Sequence, residues 1–241
     1  MGSVNTTSVA DQDKELLDTG LFSDVTVTCG DSEWKLHRAI LSTRSDWFRA
    51  ALCGNFDEAE SRIINLHEQN PDIVRILIEW IYIRDRSEPD KAMAYGNEIG
   101  RLENSIELLR AADFFCLSDL RLICEEHIQE CYKKLLLQLD TIDLIVHDRS
   151  TDEELILQTL AKTVKVVYEL RLDTFKSCLV GPVVGCHLSA LRVPAFRDIL
   201  NETPQYAVDL LYEIPKQIDQ WKRSENPSKK RSKKYYQEEN M

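Results

Sequence analysis

The sequence predicts an α+β protein in which a small mixed sheet capped by helices is followed by an all-helical extension. Two observations carry this prediction. Apolar residues alternate with threonines over Val25–Cys29, which is the period of a half-buried strand, and residues 34–36 supply a returning strand. Beyond Tyr132 this alternation ends, and the apolar residues are spaced as they are on helices.

The N-terminal segment predicts one short helix. Residues 11–19 would form it with Leu16 and Leu17 facing inward, and Gly20 would end it. The leader before it, residues 1–10, is polar and is expected to be mobile.

Local signals then predict a hairpin, two helices and a third strand. Gly30-Asp31-Ser32 predicts the hairpin turn. A helical stretch begins at residues 39–41, and Ser45 is the expected N-cap of a second helix that ends at Gly54. Residues 63–66 are few and β-branched, so they predict a strand.

The rest of the first half predicts helices around one loop. Asn70-Pro71 is a helix start, and Ser118-Asp119 caps a later helix. A further helix is expected over residues 106–115. Residues 84–100 are charged and irregular and predict a surface loop with a short strand near residues 92–95. The buried stripe of the helix after Pro71 is expected to contain Ile73, Leu77, Trp80 and Ile81.

The second half predicts helices only. Residues 135–146 form one, and Thr151-Asp152-Glu153-Glu154 is a capping box that opens the next, with Leu155, Leu160, Val164 and Val167 inward. Pro194 and Thr203-Pro204 start two short helices, the second ending near Ile214. The predicted segments are a flexible leader with a short helix at 1–19, the α+β domain at 20–132, the helical extension at 133–220 and a disordered basic tail at 221–241.

Composition and charge narrow the class of protein. A net charge of −11 argues against nucleic acid and anionic membranes as partners. Seven cysteines without framework spacing argue against a secreted disulfide scaffold, and no signal peptide precedes the first helix. No apolar run is long enough to span a bilayer. We therefore expect a cytoplasmic or nuclear protein.

Motifs for catalysis and for cofactors are missing from the sequence. It has no Gly-rich phosphate loop, no Gly-x-Ser-x-Gly and no His-Glu-x-x-His, so we expect neither an enzyme nor a cofactor. Cys124, His127 and Cys131 share a helix face, with Cys116 upstream, but the same face is apolar. A packed core is therefore favoured over a metal site.

Ordered motifs in the first half resemble a known family. The strings are Phe22-Ser23-Asp24-Val25-Thr26-Val27, Leu36-His37-Arg38-Ala39-Ile40-Leu41, Ser45-Asp46-Trp47-Phe48, Asn55-Phe56-Asp57-Glu58, Ile64-Asn65-Leu66, Trp80-Ile81-Tyr82, Leu108-Leu109-Arg110-Ala111-Ala112-Asp113-Phe114 and Leu117-Ser118-Asp119-Leu120. Residues 20–132 thereby resemble the BTB/POZ family. The resemblance implies a BTB/POZ fold, a role in binding other proteins, and in many members a dimer.

Within this resemblance, Phe56 and Glu58 are similar to the hydrophobic-x-acid motif by which many BTB adaptors engage a cullin scaffold. A Phe on a loop after a capped helix offers an apolar anchor, and the carboxylate suits a basic neighbour. Two interpretations stay open, because Phe56 would equally cover the edge of the core while Glu58 is solvated.

Asp24 and Arg38 are similar to the family's charged pair, which lines a groove in the dimers. They would receive a partner peptide, or they would form a partly buried, mutually satisfied pair near His37. The structural interpretation is favoured for the pair, and also for His37 as a core histidine.

Two functions from different classes follow. The first is an adaptor that links a partner to a cullin-type ubiquitin ligase. The alternative is a homo- or hetero-oligomerising regulatory scaffold, in the nucleus for example, without ligase function. The basic run Lys229-Lys230-Arg231 would serve as a nuclear import signal or as a solubilising tail. The short apolar set Leu16, Leu17 and Leu21 leaves the oligomeric state open.

Overall fold

The computed structural model describes residues 9–140, 151–173, 175–176, 179–180 and 194–225. The chain divides into two compact units, residues 1–131 and 132–241. Most of the predicted mobile leader, the end of the helix predicted over residues 135–146, and the basic run near the C-terminus lie outside the described residues.

A three-stranded mixed sheet forms the centre of the first unit. Its strands are β1 (Val25–Cys29), β2 (Ser32–Leu36) and β3 (Ile63–Asn65), in the order β2-β1-β3. The hairpin partner β2 is antiparallel to β1, with Val27 opposite Trp34, and β3 is parallel to β1, with Val27 opposite Ile64. The predicted α+β class and the hairpin are therefore confirmed.

Helices surround this sheet. They are α1 (Val9–Thr19), α2 (Arg38–Arg44), α3 (Asp46–Cys53), α4 (Asp57–Ser61), α5 (Pro71–Ile83), α6 (Ser87–Ala94), α7 (Glu98–Phe114) and α8 (Ser118–Asp140). The core of the unit combines alternate strand residues with an almost wholly buried α5, since Val25, Val27 and Cys29 are buried along with eight residues of that helix. Burial on nearly all sides is what makes α5 the central helix.

Predicted helix ends agree with the observed ones where a side chain caps the backbone. The Ser45 hydroxyl accepts from the N–H of Phe48, and the Asn70 side chain accepts from the N–H of Asp72. Gly20 follows α1 with a φ of +63°, a left-handed conformation that glycine adopts without strain. By contrast α1 contains no buried residue, and Leu16 and Leu17 are only half-buried.

The prediction of a surface loop over residues 84–100 is wrong. Helix α6 occupies Ser87–Ala94, where a short strand was expected, and α7 already begins at Glu98. The reason is that α6 buries only Pro89 and Met93, so its charged sequence carries almost no apolar period. Packing against α7 fixes this helix, and such tertiary contacts leave no local signal.

Two further helical features differ from the prediction. The short helix α4 directly follows Phe56, where only a loop is expected. Helix α8 runs without a break to Asp140, whereas the sequence predicts a new helix at residue 135. Tyr132, Leu135 and Leu136 are buried at helical spacing, which explains the continuity.

The second unit is helical in its described residues. Its elements include α9 (Thr151–Glu169), α10 (Pro194–Glu202) and α11 (Pro204–Glu225). On α9 the inward face contains Leu160, Val164 and Val167 as predicted, but Leu155 is exposed.

Helix α11 is longer than the sequence predicts. It contains Pro215 and continues to Glu225 instead of ending near Ile214, so it includes the first residues of the predicted disordered tail. In the described part of the chain, no helix is both long enough and apolar enough to cross a bilayer.

Candidate protein-binding surface

The corner between α3 and α4 places Phe56 at the surface. Phe56 is the residue before the first turn of α4, its carbonyl accepts from the N–H of Ala59 at 3.0 Å, and it is 60% exposed. Its ring lies against Gly54: a Cβ added to that glycine would be 3.0 Å from Cδ2 of Phe56 and 2.5 Å from the carbonyl oxygen of Ala50. Only glycine leaves this corner as tight as it is.

Glu58 lies in the first turn of α4, two residues after the exposed ring. Its backbone carbonyl accepts from the N–H of Arg62, whose φ of +59° turns the chain into β3. Its half-buried carboxylate has no hydrogen bond or ion pair among the described residues. Asp57 and Glu60 add negative charge to the same short helix. The corner thus presents one large apolar ring beside an acidic turn.

The structure does not form the predicted side-chain pair between Asp24 and Arg38. The carboxylate of Asp24 accepts from the backbone N–H of Arg38 at 2.7 Å, and the guanidinium of Arg38 donates to the carbonyl of Leu52 at 2.6 Å. The physical reason is that helix ends leave unpaired backbone groups, which attract charged side chains. Asp24 thus caps the start of α2, and Arg38 caps the last turn of α3.

His37 is buried and fully hydrogen-bonded. Its Nδ1 is 2.8 Å from the hydroxyl of Tyr82, and its Nε2 is 2.7 Å from the carbonyl of Leu21, to which it donates. The backbone N–H of His37 donates to the same tyrosine hydroxyl, and burial raises the pKa of Tyr82. This arrangement fits a structural histidine, as the sequence favours.

The turn held by His37 exposes two apolar residues, of which the sequence reasoning counted Leu21 but not Phe22 in the apolar set for self-association. Leu21 is exposed, and Phe22 is 82% exposed with a φ of +62°. A left-handed conformation is strained for a bulky residue. The only sequence signal was the apolar pair directly after Gly20.

The Cys124–His127–Cys131 face is part of the interior. The imidazole of His127 lies 2.8 Å from the hydroxyl of Ser105, and burial raises the pKa of Cys124 to about 12. Cys124 and Cys131 are both buried among the apolar residues of the same helix. Among the described residues, no group of three acidic, cysteine or histidine side chains has the arrangement of a metal site.

Comparison with known proteins gives a match over the first half of the chain. A family model for the BTB/POZ domain matches residues 14–132. The chain is 30% identical over 125 residues to Rho-related BTB domain-containing protein 1 from Mus musculus, covering 52% of this chain and 16% of that protein. It is 27% identical over 146 residues to Kelch repeat and BTB domain-containing protein 4 from Homo sapiens, covering 59% and 24% respectively.

The matches also include another curated protein and a solved structure. The chain is 29% identical over 120 residues to BTB/POZ and MATH domain-containing protein 5 from Arabidopsis thaliana, covering 47% of this chain and 29% of that protein. The BTB domain of zebrafish PATZ1 matches at 25% identity with a TM-score of 0.38, covering 52% of this chain and 98% of that chain. The chain spans less than a third of the length of each of the three curated relatives.

Proposed function

Because residues 14–132 belong to the BTB/POZ domain family, whose domains are protein-interaction modules, we propose that this protein is an adaptor for a cullin-type ubiquitin ligase. In this proposal Phe56 and Glu58 bind the N-terminal domain of the cullin scaffold. The observation that carries it is the exposed ring of Phe56 beside the unpaired carboxylate of Glu58.

The energetics of the corner support this assignment. Full burial of a Phe side chain contributes about 1.5–3 kcal/mol, and Phe56 has more than half of that surface left to bury. A carboxylate without an internal partner gains a charge-assisted hydrogen bond when a basic residue approaches it. An aromatic anchor next to a charged rim is the usual composition of an interface hot spot.

The corner is also held in place before any partner arrives. Gly54 brings the chain close to α3, and the bond from Arg62 to the Glu58 carbonyl closes α4 after little more than one turn. Ordering such a segment on binding costs little conformational entropy, which leaves more of the contact energy for affinity.

A binding titration against purified cullin N-terminal domains tests the proposal. Wild type is expected to bind one of them. Phe56→Ala is expected to bind about 30-fold more weakly, because loss of a hot-spot side chain costs about 2 kcal/mol. Glu58→Gln is expected to weaken binding severalfold.

Matched controls come from the same domain. Tyr95→Ala removes another exposed aromatic side chain, and Glu103→Gln neutralises an exposed carboxylate of α7, away from this corner. Both are expected to bind nearly as well as wild type. The proposal fails if no cullin N-terminal domain binds wild type, or if Phe56→Ala binds as tightly as wild type does.

One observation favours the alternative function, a self-associating scaffold without ligase activity. Leu21 and Phe22 form an exposed apolar turn that His37 holds in a strained conformation. A second copy that covers this turn would bury it, and the free acceptor of Asp24 and the remaining donors of Arg38 would contact the same partner.

Light scattering over a range of concentrations tests this alternative. It predicts that wild type is a dimer, that Phe22→Asp is monomeric, and that Tyr95→Asp, an equally exposed site elsewhere, stays dimeric. A wild type that remains monomeric at every concentration contradicts it. A wild-type dimer that binds no cullin N-terminal domain would favour the self-associating scaffold over the adaptor.

A further inference from the structure

A cleft of about 360 Å³ lies between α1, α5 and the start of α6. It is lined by Lys14, Leu17 and Asp18 of α1, by one side of α5, and by Asp85, Ser87 and Glu88. Its volume falls in the range of ligand-binding clefts. Neither Phe56 nor Glu58 lines it, so the cleft is independent of the proposed cullin contact.

The floor of the cleft is apolar. Leu17 from α1 and Ile83 from α5 are half-buried, and Trp80, which also lines the cleft, is 4% exposed. A floor of this kind accommodates an aliphatic side chain.

The rim of the cleft is charged, and carboxylates predominate. The charged lining residues are Lys14, Asp18, Arg75, Glu79, Asp85 and Glu88, a net charge of −2. The guanidinium of Arg75 is already occupied, 2.8 Å from Glu79 and 3.9 Å from Glu88. Lys91 is also 2.6 Å from Glu88, so the lining carboxylates without an ion pair among the described residues are those of Asp18 and Asp85.

Two of the carboxylates are available to a cation. Asp18 has no hydrogen bond or ion pair among the described residues. Asp85 accepts from the hydroxyl of Ser87 at 2.8 Å and from its N–H at 3.1 Å, and these bonds lower the pKa of Asp85. The rim therefore keeps its negative charge at neutral pH and favours a basic ligand.

An independent observation points to a ligand with a hydrogen-bond acceptor. The Nε1–H of Trp80 is shielded from solvent and has no acceptor in the described part of the protein. Buried donors are rarely left in this state. Trp80 lines the cleft, and α1, which contacts α5, buries none of its own residues.

We infer that this cleft binds a basic peptide segment of another protein. An aliphatic side chain of the peptide lies on Leu17 and Trp80, an adjacent Lys or Arg meets Asp18 and Asp85, and a peptide carbonyl accepts from the Trp80 indole. The site is thus a second protein-binding surface on the same domain.

Nuclear magnetic resonance of the full-length ¹⁵N-labelled protein tests this inference. The probes are acetyl-Leu-Lys-Leu-Lys-amide and its acidic counterpart acetyl-Leu-Glu-Leu-Glu-amide, and the readout is the indole N–H resonance of Trp80, assigned with Trp80→Phe. The basic peptide is expected to shift this resonance saturably, whereas the acidic peptide leaves it in place. The indole resonances of Trp34 and Trp47 stay unchanged.

Paired variants supply the control. The double variant Asp18→Asn with Asp85→Asn is expected to bind the basic peptide at least fivefold more weakly than wild type. The control double variant Asp31→Asn with Glu33→Gln, which neutralises two carboxylates of the hairpin, is expected to bind it as tightly as wild type. The inference is overturned if both peptides shift Trp80 equally or if neither does. It is also overturned if the same shift appears when the protein alone is concentrated, because the cleft is then covered by a second copy.

Discussion

Arg44 shows how a single side chain joins elements that are distant in sequence. Its Nη1 donates to the carbonyls of Ile81 and Tyr82 at 2.8 and 2.7 Å, at the end of α5, and its Nη2 pairs with Asp13 of α1. Both charged groups are largely shielded from solvent. One guanidinium therefore caps the central helix and fastens α1 to it.

Replacing Arg44 is expected to destabilise the first unit strongly. Arg44→Ala leaves two carbonyls and a carboxylate without a donor, which costs about 2–4 kcal/mol of unfolding free energy. Arg49→Ala breaks the exposed pair with Asp46 and is expected to cost less than about 0.5 kcal/mol. Urea unfolding measures both variants, and equal losses would contradict the role of Arg44.

Cys124 is expected to make the protein sensitive to alkaline pH. Burial raises the thiol pKa from 9.0 to about 12, so the folded chain keeps a proton that the unfolded chain loses. The contribution of this protonated thiol to the stability of the folded protein is complete below pH 9, and it falls as the pH rises toward 12.

Unfolding in urea at two pH values checks this direction. Between about pH 8 and about pH 10, the free energy of unfolding of wild type is expected to fall by about 1 kcal/mol more than that of Cys124→Ala. Cys53→Ala, which removes an exposed thiol, is expected to lose as much as wild type. A Cys124→Ala variant with the wild-type pH dependence would refute the assignment.

At the scale of residues, sequence reasoning succeeds where a signal is local. Ser45 and Asn70 cap helices that begin next to them, so residue type and position suffice. Asp24 and Arg38 are 14 positions apart, and each finds a backbone partner instead of the other side chain. Whether a backbone group or the other side chain lies closer to Asp24 and Arg38 depends on how the hairpin packs against α2 and α3. The local sequence carries no signal for this packing.

At the scale of elements, α6 tests whether tertiary packing, and not the local sequence pattern, determines the structure of residues 87–94. Met93 is completely buried, so Met93→Ala is expected to cost about 2–4 kcal/mol in urea unfolding. In a surface loop, which the sequence predicts here, the same change would have little effect. Lys91→Ala on the exposed side of α6 is the control, with an expected change below about 0.5 kcal/mol.

The corner between α3 and α4 depends on Gly54. A methyl group there would meet the carbonyl of Ala50 at 2.5 Å and the Phe56 ring at 3.0 Å, so Gly54→Ala is expected to move Phe56. We expect a lower melting temperature and cullin binding weakened about tenfold or more. Thermal unfolding and the binding titration measure the two effects.

Gly100→Ala is the matched control for this change. The added methyl at Gly100 meets its nearest neighbour at 3.5 Å, an ordinary contact, and alanine favours the helix. Stability is expected to stay equal or to rise, with binding unchanged. If Gly54→Ala behaves in the same way, the corner does not require glycine.

At the scale of the whole molecule, the two halves differ in how much the sequence reveals. The sheet and the helices around it, except α4 and α6, follow from period changes and from ordered motifs in the first half of the sequence. Helices α8 and α11 both extend beyond their predicted limits. Helix α8 continues across Lys133 and Lys134, which favour helix, whereas α11 continues past Pro215, which is a stop signal in the sequence.

The candidate surfaces differ in the same way. Phe56 and Glu58 emerge from a resemblance in sequence, although the exposure of the ring depends on a helix that the sequence does not predict. The cleft at Trp80 has no sequence signal. Trp80 reads as part of a buried stripe, and nothing local indicates that α1 crosses it.

Amide hydrogen exchange of the whole protein, with and without a bound cullin N-terminal domain, tests the adaptor proposal most directly. Amides of residues 54–62 are expected to exchange more slowly in the complex, while those of α11 keep their rates. A complex that forms with unchanged exchange over residues 54–62 would contradict the adaptor proposal, because the cullin would then contact a different surface.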